Sequence, residues 1–258
     1  MHPSDDDWIV VDANAWLNGL VCHEDYGVVN DPSSPVMNRF IKENKEKLIT
    51  PGGVRGEVQR NLGVTHNSKN KKKHSKNILK KLCKNAGLSE STRRELTIKT
   101  LNDFEIYRNA GHQGIRKEAN KPRRARVDEI WRMFKLIFYK NREGYMEYYR
   151  DKERKMRGKN GNECRTPEGY DRHESWEWWY PPPGDIDIIA FADWCTESGL
   201  RIWVVSFDKD FGIFFTSITN GVFRGTPYVR RPICSVRLLA DKDDIEDYLD
   251  GNDIGEEG

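Results

Sequence analysis

The sequence predicts an α/β protein, a three-layer α/β/α domain with a central parallel sheet. Two apolar runs, Trp8–Val11 and Leu200–Ser206, have the composition of strands that are buried on both faces. Apolar residues at helical spacing lie between these runs, and strand patterns interrupted by helical patterns are typical of α/β folds. Each run also ends next to an aspartate, Asp12 or Asp208. The sequence therefore predicts two central strands, each followed by an acid.

The other elements follow from periodicity and from turn residues. A short strand is predicted over Leu48–Thr50, and a helix or turn over Ala15–Val21. Helical spacing of apolar residues predicts five longer helices, over Val36–Lys47, Val54–Leu62, Leu88–Ala110, Val127–Lys155 and Asp185–Ser198. The last of these is expected to end at Gly199, and a further helix and a late strand are expected within Phe211–Val236.

The helix predicted over Leu88–Ala110 begins at Ser89 and Glu90, which are favoured residues for a helix start. Its apolar residues are Leu96, Ile98, Leu101, Phe104 and Ile106. This set predicts an amphipathic helix with one apolar face.

The chain of 258 residues is longer than a minimal domain of this class, so part of it is insertion or extension. Residues 63–183 differ in character from the two ends, because a lysine run and long basic helical patterns replace the alternation of strands and helices. We predict a discontinuous α/β domain formed by residues 1–62 and 184–240. A mainly helical basic insertion covers residues 63–183, and an acidic tail, either a surface helix or disordered, covers residues 241–258.

The formal net charge of +2 averages two opposed regions. Residues 69–84 carry eight lysines and no acid, whereas residues 241–258 carry nine acids and Lys242 alone. A solvated loop is the ordinary interpretation of such a lysine run. A basic surface that contacts nucleic-acid phosphate is the alternative that we favour. The expected contacts are Lys69, Lys71, Lys72, Lys73, Lys76, Arg123, Arg124 and Arg126.

Several classes of protein are disfavoured. The five cysteines are odd in number and scattered, which argues against a disulfide framework, and no pair has the spacing of zinc ligands. The acidic start of the chain and the short apolar run after it do not resemble a signal peptide or a membrane span. We therefore expect a cytoplasmic protein that does not interact with a membrane.

Four acids are predicted to meet at one edge of the sheet. If the two central strands are parallel neighbours, Asp12 and Asp208 lie at their carboxyl ends, which is where open α/β sheets bind ligands. Asp185 begins the helix that leads into the second strand, and Glu57 lies near the start of a helix that follows a short strand. An aspartate at a helix start also has a purely structural interpretation as a cap.

The segments around these acids resemble the motifs of the PIN-domain ribonucleases. Residues 10–17, VVDANAWL, resemble the first strand of that family with its aspartate, and residues 56–58, GEV, resemble its second acidic position. Residues 185–192, DIDIIAFA, resemble its third motif, and residues 204–211, VVSFDKDF, follow its fourth. The four motifs occur in the order of the family, and the resemblance as a whole covers about half the chain, at its two ends.

The resemblance implies a metal-dependent endonuclease that hydrolyses phosphodiester bonds and prefers RNA to DNA, with Mg²⁺ or Mn²⁺ as its cofactor. Asp12 and Asp208 are then the principal metal ligands, and Glu57 and Asp185 complete the site. Asp187 and Asp210 are auxiliary acids, and either Asp185 or Asp187 could face the metal. Asn14 and Ser206 are expected to orient ligands. Because small members of the family often form pairs, a homodimer or an inhibitory protein partner is also an expectation.

An acid cluster suits this chemistry for physical reasons. Phosphodiester hydrolysis needs an activated water, a more electrophilic phosphorus and a neutralised leaving oxygen, and hard divalent cations provide all three. Mg²⁺ prefers oxygen ligands and keeps some of its waters, so a few convergent carboxylates are enough. Without metal, neighbouring carboxylates repel one another, which predicts that the pKa of at least one of them is raised.

Two other functions compete with a nuclease. A protein of the same fold could bind nucleic acid or act as a scaffold without cutting, although the presence of all four acids speaks against this. A phosphatase of the haloacid dehalogenase type would need an aspartate two residues beyond Asp12, where this chain has Asn14.

Overall fold

The computed structural model describes residues 7–63, 77–111, 183–208 and 236–251, together with residues 130, 133, 211, 212, 214 and 215. The strands are β1 (Asp7–Val11), β2 (Leu48–Ile49), β3 (Arg201–Val205) and β4 (Arg237–Leu239). The helices are α1 (Ala13–Leu20), α2 (Ser34–Glu43), α3 (Gly52–Asn61), α4 (Ile78–Asn85), α5 (Glu90–Ala110), α6 (Pro183–Glu197) and α7 (Lys242–Asp250), with a 3₁₀ turn at Glu24–Tyr26. Most of the helix predicted over Val127–Lys155 lies outside the described residues, as does most of the segment Phe211–Val236.

The four strands form one parallel sheet in the order β2-β1-β3-β4, flanked by helices. This confirms the predicted α/β/α class. In the register of the two central strands, Val11 lies beside Val205, and on the other side of β1 Ile9 lies beside Leu48. The connection from β1 moves one way along the sheet, to β2, and the connection from β2 crosses back to β3. The carboxyl ends of β1 and β3 therefore lie at a topological switch point, where α/β sheets form ligand crevices.

Helices α4 and α5, which lie within the segment predicted as an insertion, share the hydrophobic core of the sheet. Leu79 and Cys83 of α4 are buried there, as are Leu96 and Phe104 of α5. The ring of Phe104 packs edge to face on Trp16 of α1, with 5.3 Å between the ring centroids. These buried residues hold the two helices on the same core as the strands.

The apolar face predicted for α5 is only partly correct. Leu96 and Phe104 are buried, and Ser89 caps the helix as expected by accepting a hydrogen bond from the backbone N–H of Thr92. Ile98 and Ile106, however, are 59% and 60% exposed. They lie eight residues apart on one side of the helix. The buried face consists of Leu96, Thr100 and Phe104, which are spaced four residues apart on another side.

Helix α6 matches its prediction closely. Ile188, Ile189, Ala192 and Cys195 are buried, and Gly199 follows the helix with φ of +85°, a backbone conformation that favours glycine. Although α6 is rich in apolar residues, the described helices include none with the length and hydropathy that a membrane span requires.

Helix α7 occupies residues 242–250, the first part of the segment predicted as an acidic tail. Asp241 caps it in a reciprocal capping box with Asp244. Ile245 and Tyr248 are buried, and the Tyr248 ring packs on Phe40 of α2 and Trp203 of β3 at centroid distances of 5.3 and 5.2 Å. The acidic residues of α7 therefore lie on a helix whose other face belongs to the core.

Replacing Tyr248 by phenylalanine is expected to stabilise the protein. The Tyr248 hydroxyl is buried and has no hydrogen-bond partner among the described residues, and burial and the Asp7 carboxylate raise the pKa of this phenol. Removing an unsatisfied hydroxyl while keeping the ring contacts should raise the free energy of unfolding by about 1 kcal/mol. Urea denaturation measures this change, with Tyr26→Phe as control because Tyr26 is 44% exposed. A loss of stability in Tyr248→Phe would contradict the prediction.

Candidate active site

Asp12 lies at the end of β1, where the chain turns into α1. Its backbone N–H donates a hydrogen bond of 3.0 Å to the carbonyl of Val205, which continues the pairing of β1 with β3 by one residue. Its carboxylate Oδ1 accepts a hydrogen bond from the N–H of Ala13 and caps α1. The strand fixes the backbone of Asp12 and the helix start fixes one carboxylate oxygen.

Ser206, the residue after β3, orients the other carboxylate oxygen of Asp12. Its hydroxyl donates to Asp12 Oδ2 at 2.9 Å and accepts from the backbone N–H of Asp208 at 3.2 Å. Ser206 is fully buried, so solvent does not compete for these bonds. One hydroxyl therefore links the two aspartates that follow the central strands.

Asn14 completes this network from α1. Its side-chain Nδ2 lies 3.5 Å from Ser206 Oγ, and its Oδ1 accepts from the backbone N–H of Phe207 at 3.2 Å. The asparagine ties the start of α1 to the turn after β3. The structure thus brings together Asp12, Asn14, Ser206 and Asp208, four of the residues that the sequence singled out.

The pKa of Asp12 is raised from its ordinary value to about 6. Burial of the carboxylate, which is 5% exposed, is the largest cause, and the charges of Glu57 and Asp208 raise the pKa further. The hydrogen bonds from Ala13 and Ser206 oppose this rise because they stabilise the charged form. The sequence predicts a raised pKa from repulsion between carboxylates, but in the structure desolvation contributes more.

The other predicted acids occupy different positions around this network. Glu57 is half-buried within α3, and Asp208 is half-buried in the turn after β3. Asp185 is 6% exposed in the first turn of α6, a helix that contacts both α3 and β3. The side chain of Asp187 and the whole of Asp210 lie outside the described residues.

Within the described residues, no three histidine, cysteine, aspartate or glutamate side chains form a group that could hold a metal ion. The four predicted acids nevertheless suit a hard divalent cation, because such ions prefer the oxygen atoms that carboxylates supply. Burial and two further acids raise the pKa of the Asp12 carboxylate. A nearby cation would stabilise this carboxylate in its charged form.

The residues predicted to bind nucleic acid lie outside the described part of the chain. They are Lys69, Lys71, Lys72, Lys73, Lys76, Arg123, Arg124 and Arg126.

Two further acids, which the sequence analysis does not single out, are also buried. Asp193 lies eight residues beyond Asp185 on α6, roughly 12 Å along the helix axis. Asp7 lies at the opposite end of β1 from Asp12, where it accepts hydrogen bonds from Trp203 Nε1 and Arg201 Nε, each at 3.0 Å. For Asp193 the sequence signal is an acid inside an apolar run, whereas Asp7 is the last of three aspartates that precede the run of β1.

Comparison with known proteins adds no assignment to this geometry. No protein-family model matches the sequence, and no curated protein and no solved structure matches the chain.

Proposed function

We propose that the protein is a PIN-like nuclease, a metal-dependent endonuclease that hydrolyses phosphodiester bonds and prefers RNA. The observation that carries the proposal is the buried Asp12 carboxylate, which is fixed at the switch point of the sheet and linked through Ser206 to the backbone of Asp208. Few purely structural roles require a buried acid that is also repelled by two other acids, here Glu57 and Asp208. The order of the four acidic motifs along the chain supports the same function.

Asp12 and Asp208 would hold Mg²⁺ or Mn²⁺, with Glu57 and Asp185 directly or through water and with Asp187 and Asp210 as auxiliary acids. When bound, such a cation activates a water and neutralises charge on the phosphate. Ser206 and Asn14 contribute by position: the Ser206 hydroxyl holds Oδ2 of Asp12 in one orientation, and Asn14 holds the turn that carries Asp208. A fixed carboxylate needs no reorganisation when charge develops nearby.

The second candidate function is a protein of the same fold that binds nucleic acid without cutting it. The lysine run at residues 69–84, which contains no acid, favours it, because such a run can bind phosphate without a metal ion. In either case we expect a cytoplasmic protein that contacts nucleic acid, with a homodimer or an inhibitory protein as a further partner.

Cleavage assays separate the two functions. Purified protein incubated with labelled single-stranded or structured RNA or DNA should cut RNA in Mn²⁺ or Mg²⁺ and should be inactive in EDTA. Asp12→Asn and Asp208→Asn should each reduce cleavage by at least about a hundredfold, because each removes a charge that acts on the reacting phosphate. Gel separation of the products measures the rate.

The matched control is Asp25→Asn, which removes the charge of an exposed acid in the 3₁₀ turn and should leave the rate unchanged. Full cleavage by an Asp12→Asn, Asp208→Asn double variant would refute the nuclease. Binding of RNA by the wild type without any cut in either metal would support the non-cleaving function.

A further inference from the structure

Helices α4 and α5 present a basic surface that contains the last three lysines of the run at residues 69–84 and adds two arginines of α5. It consists of five cations, Lys80, Lys81 and Lys84 of α4 with Arg93 and Arg94 of α5. The three lysines and Arg94 are exposed, and Arg93 is half-buried. The Glu90 carboxylate lies beside the two arginines.

The charges on this surface are poorly balanced. Glu90 accepts hydrogen bonds from Arg93 and from Arg94 through the same oxygen, at 3.1 and 3.0 Å. Arg94, Arg93 and Lys80 all lower the pKa of the Glu90 carboxyl, so three cations share one carboxylate. In the described part of the chain, Lys81 and Lys84 have no acidic partner. A cluster that keeps unpaired positive charge is suited to an anionic partner.

The surface is also held in place by the core. Leu79 and Cys83 are buried on the other side of α4, and Leu96 is buried on α5. Asn77 caps α4 by accepting a hydrogen bond from the N–H of Lys80. Because the scaffold beneath the lysines is fixed, their arrangement persists without a ligand, and less ordering is needed on binding.

Helix α5 connects this surface to the helix that carries Glu57. Arg93 is twelve residues before Glu105, a distance of roughly 18 Å along the helix. Glu105 pairs with Arg108 of the same helix and with Arg55 of α3, each at 2.8 Å. Since α3 also carries Glu57, the basic surface lies on the same packed unit as the acid site. Asn77, which caps α4, also lies against Gly63, which follows α3.

We propose that this surface, Lys80, Lys81, Lys84, Arg93 and Arg94, docks the phosphate backbone of RNA that enters the acid site. The inference rests on the proposed nuclease or nucleic-acid-binding function. The surface contacts backbone phosphate and positions the strand, whereas the acids around Asp12 act on the bond that is cut. The lysines of α4 and Glu57 of α3 lie on different helices, so we expect only an RNA longer than a dinucleotide to contact both.

Binding of long single-stranded RNA in EDTA tests the surface without cleavage. Lys81→Gln/Lys84→Gln removes two lysines that have no acidic partner among the described residues. We expect affinity to fall about tenfold and the log-log salt slope to fall by about 1.4, for two lost phosphate contacts. Lys42→Gln/Lys45→Gln removes two exposed lysines on and beyond α2, so it changes net charge equally and should leave both quantities near those of the wild type. Fluorescence anisotropy across a salt series measures both. Equal effects of the two variants, or no binding by the wild type, would overturn the proposal.

Kinetics in Mn²⁺ distinguish this proposal from the proposed cleavage. For long RNA, Lys81→Gln/Lys84→Gln should raise KM and keep kcat, and for a dinucleotide it should change neither. If the wild type binds RNA through these lysines but never cuts, the docking surface stands and the nuclease does not. Binding to anionic phospholipid vesicles serves as a further arm, because loss of vesicle binding with unchanged RNA affinity would assign the surface to a membrane and overturn the proposal.

Discussion

Replacing Gly111 by alanine is expected to destabilise the protein by about 3 kcal/mol, because the added methyl group has no space. Gly111 follows α5 and is buried against β2, the strand at one edge of the sheet. A Cβ built at this position would overlap the carbonyl oxygen of Leu48 and lie 2.9 Å from its carbonyl carbon. Both atoms belong to the backbone of β2, so a side-chain rotation cannot relieve the overlap.

Backbone conformation is not the cause of the expected loss. Gly111 has φ of −74° and ψ of 167°, an extended conformation that any residue adopts. The effect therefore comes from packing alone, at the point where the end of α5 covers the outer edge of β2. Covering an edge strand also prevents it from pairing with another chain, so the variant should aggregate more readily on heating.

Urea denaturation of Gly111→Ala against the wild type measures the change in the free energy of unfolding. Gly56→Ala is the matched control, because a Cβ at Gly56, inside α3, meets only the end of the Arg60 side chain at 3.9 Å. That substitution should stabilise the protein by about 0.5 to 1 kcal/mol through helix propensity. A Gly111→Ala protein with the stability of the wild type would show that the end of α5 does not pack against β2.

The central strands and α6 were predictable because their signals are local. Apolar runs define most of β1 and β3, at Trp8–Val11 and residues 202–205, and a helical period ending at Gly199 defines α6. Parallel pairing of β1 with β3 then places Asp12 and Asp208 at one edge, as predicted. Nothing in this inference required knowledge of how distant helices pack.

Features that depend on packing were predicted less well. The nine acids after residue 240 indicate a charged surface segment, although Ile245, Tyr248 and Leu249 have the spacing of a helix with one buried face. Ile98 and Ile106 are apolar but exposed, because the contact of α5 with α1 selects a different face. The positions of Glu57 and Asp185 relative to Asp12 depend on how α3 and α6 pack, and a linear sequence gives no direct signal for that.

Replacing Asp12 by asparagine is expected to stabilise the metal-free protein at pH 7.5, although it should abolish cleavage. Folding raises the pKa of Asp12 from 3.8 to about 6, which corresponds to roughly 3 kcal/mol between the protonated and the charged forms. Because the pKa of Asp12 is higher in the folded protein, its protonation favours folding. This contribution to stability is complete below pH 4 and is lost as the pH rises through 6. Above pH 6 the folded protein therefore contains a buried charge that an asparagine avoids.

The net gain should be smaller than that figure, about 1 to 2 kcal/mol, because the charged cap of α1 is also lost. Asparagine can still accept the hydrogen bond from Ala13, and its amide can donate to Ser206 in place of the present bond. Thermal denaturation in EDTA between pH 4 and 8 measures the difference, which should be near zero at pH 4 and reach its full value above pH 6. Asp25→Asn, at an exposed acid, should show no such pH dependence.

Divalent cation should reverse the order of stability of the two proteins. A cation bound at the acid site stabilises the charged form of Asp12, so Mn²⁺ should raise the Tm of the wild type in a concentration-dependent way. Asp12→Asn keeps the fold but lacks the charge, and its Tm should respond much less. If Asp12→Asn is less stable than the wild type in EDTA at pH 7.5, the carboxylate has a structural role and is not an acid held in an unfavourable state. A gain in EDTA without any response of the wild type to Mn²⁺ or Mg²⁺ would instead favour the function that binds nucleic acid without cutting it.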